Sequence, residues 1–149
     1  MIGVQLGVCA SSESEIIFCY SLRGGQGTAT DSTYGLDQWY HVALVFDNGA
    51  SKLYVNGVLA HEYTAPGPAI GTAANSTVLG SGANGSYPFH GQIAHVRTYQ
   101  TVLDPTEIAA IAAKGPWAEF TPETPSADWR MNETGTVVDA IGGVNEIGR

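Results

Sequence analysis

The residues that could carry chemistry in this chain are few and dispersed. Fourteen Asp and Glu, four His and two Cys are spread over 149 residues. Retaining hydrolysis of a glycosidic bond needs two carboxylates about 5–5.5 Å apart, which alternate residues of one strand can present to a cleft. Glu13 and Glu15 have that spacing, but they stand among Ser11, Ser12 and Ser14, a turn composition, so they are expected to be solvated turn residues. Glu119, Glu123, Glu133 and Glu146 are isolated in linker or tail. His41, His61, His90 and His95 fall into no His-x-His or His-Glu-x-x-His pattern, so zinc is not expected. No serine lies in a Gly-x-Ser-x-Gly elbow, and no reactive-thiol motif surrounds Cys9 or Cys19. The expectation is a chain that is not an enzyme.

Binding chemistry has better candidates. Sugars are held by an exposed aromatic ring stacked on the pyranose, with amides and charged groups reaching the hydroxyls. Tyr87 with Asn84 and Ser86, in the polar segment Ser81 to Pro88, fits that description. His95 and Arg97 fit it as well if they turn outward. The ordinary alternatives are an exposed loop tyrosine and a salt-bridged arginine. Asn75-Ser76-Thr77, Asn84-Gly85-Ser86 and Asn132-Glu133-Thr134 have the form of N-glycosylation acceptors, relevant only in a eukaryotic secretory host.

Composition sets what must position these residues. A chain of 149 residues is about one domain, long enough to bury roughly 68–70% of its unfolded surface. Charged residues make up only 13%, and polarity is carried by the Gly, Ser, Thr and Asn of turns and uncharged strand faces. The net charge of −8 and six scattered Lys and Arg lack the basic footprint that phosphates require, so nucleic acid is not expected as a partner. No apolar run approaches the roughly 20 residues needed to cross a bilayer, and the first residues do not have the form of a signal peptide. Membrane insertion is not expected.

Along the chain, Val4, Leu6 and Val8 alternate with Gln5, Gly7 and Cys9, and Ile16 to Tyr20 is a short apolar run. Two strands are expected, with a turn centred near Ser14 that would set Cys9 opposite Cys19. A disulfide there and a pair of small buried residues are both open readings. Gly24-Gly25-Gln26-Gly27 is not followed by a helical pattern, so a turn is expected in place of a phosphate loop. From Trp39 the pattern sharpens. Val42, Leu44 and Phe46 share one face, and Asn48-Gly49 and Asn56-Gly57 are type I′ turn pairs, which predicts a three-strand meander through Tyr63. Thr77 to Gly80 reads as a brief strand and Phe89 to Gln100 as a longer one. In the latter Ile93 and Val96 are three apart, so a β-bulge is predicted at Ala94-His95. One helix is signalled over 105–113: Asp104 as N-cap, Pro105 at the first position, Glu107 at the capping-box position and Lys114-Gly115-Pro116 as the stop. Pro122 to Ala127 is linker-like, and Trp129 to Val138 resumes a strand pattern.

In this order and spacing, Trp39-Tyr40-His41-Val42-Ala43 with Asp47, Tyr54-Val55-Asn56-Gly57, Leu79-Gly80, Gly91-Gln92-Ile93 running into Val96-Arg97-Thr98-Tyr99, and Leu103 with Glu107-Ile108 resemble the laminin G-like group of the concanavalin A-like lectin and glucanase superfamily. The resemblance covers Leu36 to Ala112. It implies an all-β fold, an antiparallel two-sheet jelly-roll sandwich with one short helix, which agrees with the turn chemistry above. It also implies calcium as the cofactor to look for, held by rim carboxylates, and Asp31, Asp37, Asp47 and Asp139 offer hard oxygen ligands. Asp47 before Asn48-Gly49 is equally well explained as a turn residue. Ala94-His95 departs from the acidic pair that many relatives carry there.

The family's opening strand, a Trp-containing segment followed by Gly-Thr-x-x-x-Asp, has its likeness at the end of this chain: Trp129 to Glu133, then Gly135-Thr136-Val137-Val138-Asp139. The expected organisation is therefore a sandwich over 1–121 that lacks its usual first strand, a linker over 122–127, and a tail over 128–149. The tail either docks back on the sheet, which hides an exposed edge, or begins a next repeat. The function implied is a non-catalytic carbohydrate- or protein-binding adhesion module, a lectin-like part of a larger protein at an extracellular, cell or virion surface. Its partners would be a glycan, an extracellular protein or neighbouring repeats of the same type. A structural spacer in a repeat array or a phage or cell-surface fibre is the alternative, and a partial glycoside hydrolase the third.

Overall fold

The structure, a computed structural model, describes residues 4–22, 26–47, 49–64, 78–81, 87–116, 123–131, 138–139 and 143–144. They divide into two compact units, Met1–His90 and Gly91–Arg149. Antiparallel strands dominate both.

In the first unit, β1 (Val4–Ala10) and β2 (Glu15–Leu22) form a hairpin, and β3 (Gln26–Ala29) and β4 (Tyr34–Gly35) pair with successive parts of β2. A second sheet is the expected meander: β5 (Val42–Asp47), β6 (Ala50–Val55) and β7 (Val58–Thr64), in that spatial order. Its second turn has the left-handed pair that a type I′ hairpin requires, with φ of 50° at Asn56 and 80° at Gly57. Only residues that tolerate positive φ fit there, which is why Asn-Gly marks the position.

Strand alternation builds the core. Phe18 and Tyr20 of β2 project from one face, Leu53 and Val55 of β6 from the other, and all four are buried in one cluster. Ile16, Tyr34, Tyr40, Val42, Leu44 and Ala60 pack around them. Phe18, Tyr34 and Tyr40 form a ring of tilted and edge-on contacts with centroids 5.1–5.5 Å apart. Burying Leu53 completely contributes about 1.5–3 kcal/mol. A polar tie crosses the same interface, where the hydroxyls of Tyr20 and Ser51 meet at 2.6 Å. Burial pushes the Tyr20 phenol above its ordinary value, partly offset by that bond, so it stays a neutral hydrogen-bonding group.

In the second unit, β8 (His95–Thr98) precedes α1 (Pro105–Lys114), and β9 (Ala127–Arg130), β10 (Val138–Asp139) and β11 (Gly143–Val144) complete a sheet of order β11-β10-β9-β8. The helix starts as its sequence requires. Asp104 accepts from the N–H groups of Thr106 and Glu107 at 2.7 and 2.9 Å, and Glu107 accepts from the Asp104 N–H at 2.7 Å. It runs one residue beyond the expected end, and Ile108 is its buried anchor.

Several expectations are corrected. The bulge is not at Ala94-His95: His95 to Thr98 pair with Arg130 to Ala127 in unbroken register, and Ile93 precedes the strand, so its spacing from Val96 needs no extra residue. The irregularity lies in β7, where Leu53 faces His61 but Tyr54 faces Leu59, leaving Ala60 as the inserted residue. The predicted strand at 77–80 is irregular over its described residues 78–80, and the long strand predicted from Phe89 is confined to 95–98. Gln26, expected in a turn, opens β3; Gly24 and Gly25 lie outside the described residues.

The β1–β2 hairpin is centred one residue earlier than expected, so Cys9 faces Ile17 and Cys19 faces Gly7. The two cysteines are diagonal neighbours on one face. With Cα atoms 6.1 Å apart they form a disulfide. Closing this short loop should stabilise the fold by about 2–4 kcal/mol. Replacing both cysteines by serine is expected to lower the urea midpoint accordingly, and an unchanged midpoint would show that the bridge contributes nothing.

Candidate functional site

Among the described residues, three arrangements bring polar side chains together, and Tyr87 presents an exposed aromatic ring. In the second unit, strand alternation puts His95 and Arg97 of β8 on the same face as Asp128 and Arg130 of β9, while Val96, Ala127 and Trp129 take the other face with Met131. Asp128 is buried at 3% exposure. Its Oδ1 is bonded by His95 Nε2 and lies 3.5 Å from Arg97 Nε, and its Oδ2 accepts from Arg130 Nη2 at 3.1 Å. Burial alone would raise the Asp128 pKa, but the hydrogen bonds from His95 and Arg130 and the charges of His95 and Arg97 outweigh it, so the carboxyl is held below its ordinary value. Tyr99, next on this face, has its phenol raised by burial, with Arg97 opposing and Asp128 adding to the effect.

An outward-facing His95 and Arg97 would need the bulge that is absent. Regular pleating turns them inward instead, and each side chain is only 9% exposed. Their place is beside Asp128, not in an open sugar site.

The second arrangement lies in the first unit. Through the β7 bulge, Ala60 packs on the core while His61 reaches the edge of the facing sheet. His61 Nε2 is 2.8 Å from Thr28 Oγ1, and His61 Nδ1 is 3.2 Å from Asp31 Oδ1. A carboxylate only accepts, so Nδ1 donates to Asp31, while the Thr28 hydroxyl is a hydrogen-bond partner of Nε2. Nothing in the sequence signals this, because the three residues come from β3, the following bend and β7.

The third arrangement is the turn from Gly35 to His41. Tyr40 donates its hydroxyl to the Gly35 carbonyl at 2.9 Å, and His41 and Asn56 exchange two bonds, His41 N–H to Asn56 Oδ1 at 2.9 Å and Asn56 N–H to the His41 carbonyl at 2.8 Å. Asp37 takes left-handed φ at 57°. Gln38 lies over Gly35 so closely that a β-carbon there would come within 2.8 Å of its amide nitrogen. Between these fixed points Trp39 is 58% exposed. Its sequence pattern is that of a strand residue, yet the fold presents it to solvent.

Tyr87 is 84% exposed, with left-handed φ of 52°. Close by in the chain, the Phe89 N–H donates to the Gly80 carbonyl at 2.8 Å. Asn84 and Ser86, its expected companions, lie outside the described residues, as do the three glycosylation-type sequences.

Of the aspartates considered for calcium, Asp31 is bonded by His61, Asp47 is exposed at the end of β5, and Asp139 of β10 pairs with Trp129. Among the described residues no three His, Cys, Asp or Glu are grouped so as to hold a metal ion. Glu15, expected in the turn, instead opens β2 opposite Gly35; it is exposed and accepts from the Thr33 hydroxyl at 2.8 Å.

Facing antiparallel sheets with loops at their rim define a sandwich of the lectin kind, and sequence comparison agrees. A laminin G family model, described as the concanavalin A-like lectin/glucanases superfamily, matches residues 3–109, and the chain belongs to this family. No curated relative matches. Among solved structures, a crystal structure of residues 221–444 of an S-layer domain-containing protein from Clostridium thermocellum is similar at 18% identity, with a TM-score of 0.38, over 75% of this chain and 64% of that one. The chain thus spans less than two thirds of that structure. No described helix is long and apolar enough to cross a membrane.

The Asp128 cluster yields a pH prediction. Unfolded, the carboxyl titrates near its ordinary value of about 4; folded, it titrates lower. Its contribution is therefore complete above the unfolded value and is lost as pH falls through the folded one. Asp128→Ala removes the carboxylate that His95, Arg97 and Arg130 share and should cost about 3–5 kcal/mol at neutral pH. The loss should shrink in acid. A pH-independent or negligible loss in urea titrations would contradict the assignment.

Proposed function

We propose that this chain is a non-catalytic recognition domain of a larger extracellular or surface protein, taking a glycan or an extracellular protein through its rim loops. The observation that carries this reading is Tyr87: a ring 84% exposed, two residues before the Phe89 N–H bonded to the Gly80 carbonyl. A buried ring would stabilise the fold, whereas an exposed one is available to stack on a ligand. Family membership and the disulfide support an extracellular setting, since such bridges persist in oxidising compartments. Absence of catalysis rests on the sequence: the one i, i+2 carboxylate pair is Glu13 and Glu15, and both are exposed, Glu13 in the turn and Glu15 where β2 opens.

A glycan array probed with and without calcium tests the proposal. Selective binding is expected, insensitive to calcium and weakened about tenfold by Tyr87→Ala, as the loss of one stacking contact would dictate. Silence across the array and toward extracellular proteins would overturn the reading in favour of a spacer. Hydrolysis of β-glucans that disappears when a carboxylate is changed would overturn the non-catalytic part.

The proposal extends to the tail, as the family's opening strand supplied last and docked on its own sheet. Support comes from the pairing of β9 with β8, extended by Ser126 N–H to the Thr98 carbonyl at 2.7 Å and Met131 N–H to the Ala94 carbonyl at 2.9 Å, and from the burial of Trp129. Ending the chain after Ser126 should expose the β8 edge and cause marked destabilisation or aggregation. Unchanged monomeric stability would reject docking.

A further inference from the structure

We propose that the turn Leu36–Trp39 is a carbohydrate subsite separate from the Tyr87 loop, and that it takes a neutral hexopyranose stacked on the Trp39 indole. The proposal rests on the reading of the chain as a glycan-binding module and names a second place and a ligand class for it.

Two observations carry it. The first is rigid presentation. Trp39 is 58% exposed, an unusual state for the largest apolar side chain in a short connection leading into a core strand. Its neighbours on both sides are fixed: Tyr40 is tied to Gly35 and packed on Phe18, His41 is doubly bonded to Asn56, and Gln38 is seated over Gly35. A ring carried on backbone fixed at both sides leaves less of the chain to be ordered when a flat ligand stacks on it, which is what preorganisation contributes to affinity.

The second observation is the chemistry beside the ring. Asp37 and Gln38 are exposed members of the same turn, and Asp37 is held there with left-handed backbone. A carboxylate accepts hydrogen bonds from sugar hydroxyls, and a side-chain amide can both donate and accept. The axial C–H groups of a pyranose form an apolar face that covers an indole. Charge selects the class. The chain carries −8 overall, the Asp37 carboxylate stands in the turn itself, and Lys52 of β6 is engaged by Glu62 at 3.5 Å. Sulfated or uronate-rich sugars would meet repulsion at this turn, whereas a neutral sugar would not.

The test uses the full chain with ¹⁵N-labelled tryptophan, whose three indole N–H signals report separately once Trp39 is assigned from Trp39→Phe. Cellotriose and chitotriose are the neutral probes and a heparin tetrasaccharide the sulfated one. The expected result is a saturable shift of the Trp39 signal with a neutral probe and none with heparin. In calorimetry, Trp39→Ala should weaken that binding about tenfold while Trp39→Phe largely preserves it. Tyr87→Ala should leave the Trp39 shift in place. A Trp39 signal unmoved by millimolar neutral sugar overturns the proposal, as does an equal response to heparin. Sugar binding that is lost in Tyr87→Ala but intact in Trp39→Ala overturns this subsite while leaving the recognition reading standing; no binding of any of these sugars overturns the subsite, and the recognition reading falls with it only if the glycan array and extracellular proteins are silent as well.

Discussion

Phe18 and Tyr20 of β2 meet Leu53 and Val55 of β6 across the interior of the first unit, and the placement of everything at its rim depends on that contact. Strand alternation alone would leave each sheet with one apolar face in water, a loss of roughly 25 cal/mol for each Å² left uncovered. Facing the two sheets removes the loss and fixes which residues point inward. Tyr20 and Ser51 then meet across the interface, and Phe18 organises the rings of Tyr34 and Tyr40. Tyr40 in turn closes the Gly35–Tyr40 turn through its hydroxyl. A core interaction therefore sets the geometry of a surface feature, and the exposed Trp39 inherits its position from the buried Phe18.

The second unit uses its strands differently. One face of the β8–β9 ladder is apolar, and the other is an ionic cluster around a single buried carboxylate. Such a cluster gains little net stability over apolar packing, since desolvating the charges costs several kcal/mol per ion. It does specify pairing. A slip of β9 by one residue would carry Trp129 to the ionic face and Asp128 to the apolar one, so register is enforced by the cost of the alternative. This accounts for a tail strand of only four residues holding a single register against β8.

Much of this architecture is legible in the residues themselves. Asn56-Gly57 announces its turn because few residues accept positive φ, and Asp104, Pro105 and Glu107 announce the helix because the capping box is a local device. The strand pattern of 42–63 is clear for the same local reason. What the sequence hides depends on distant partners. The β7 bulge follows from packing Ala60 and His61 on the same side, which no local pattern encodes. His95 and Arg97 resemble binding residues because their counter-charge, Asp128, lies more than thirty positions away. Trp39 resembles a strand residue because exposure is a property of the assembled sheets.

The exposed Trp39 and Tyr87 stand beside backbone tied by hydrogen bonds, so their placement draws on geometry built into the fold. Amide hydrogen exchange measures this directly at three positions whose N–H groups make the defining bonds: His41, Asn56 and Phe89. A rigid frame predicts that His41 and Asn56 are protected to nearly the same degree as Leu53 in the core, and that Phe89 is protected well beyond a free loop amide. Exchange of all three at the rate of an unstructured chain, with Leu53 still protected, would contradict it.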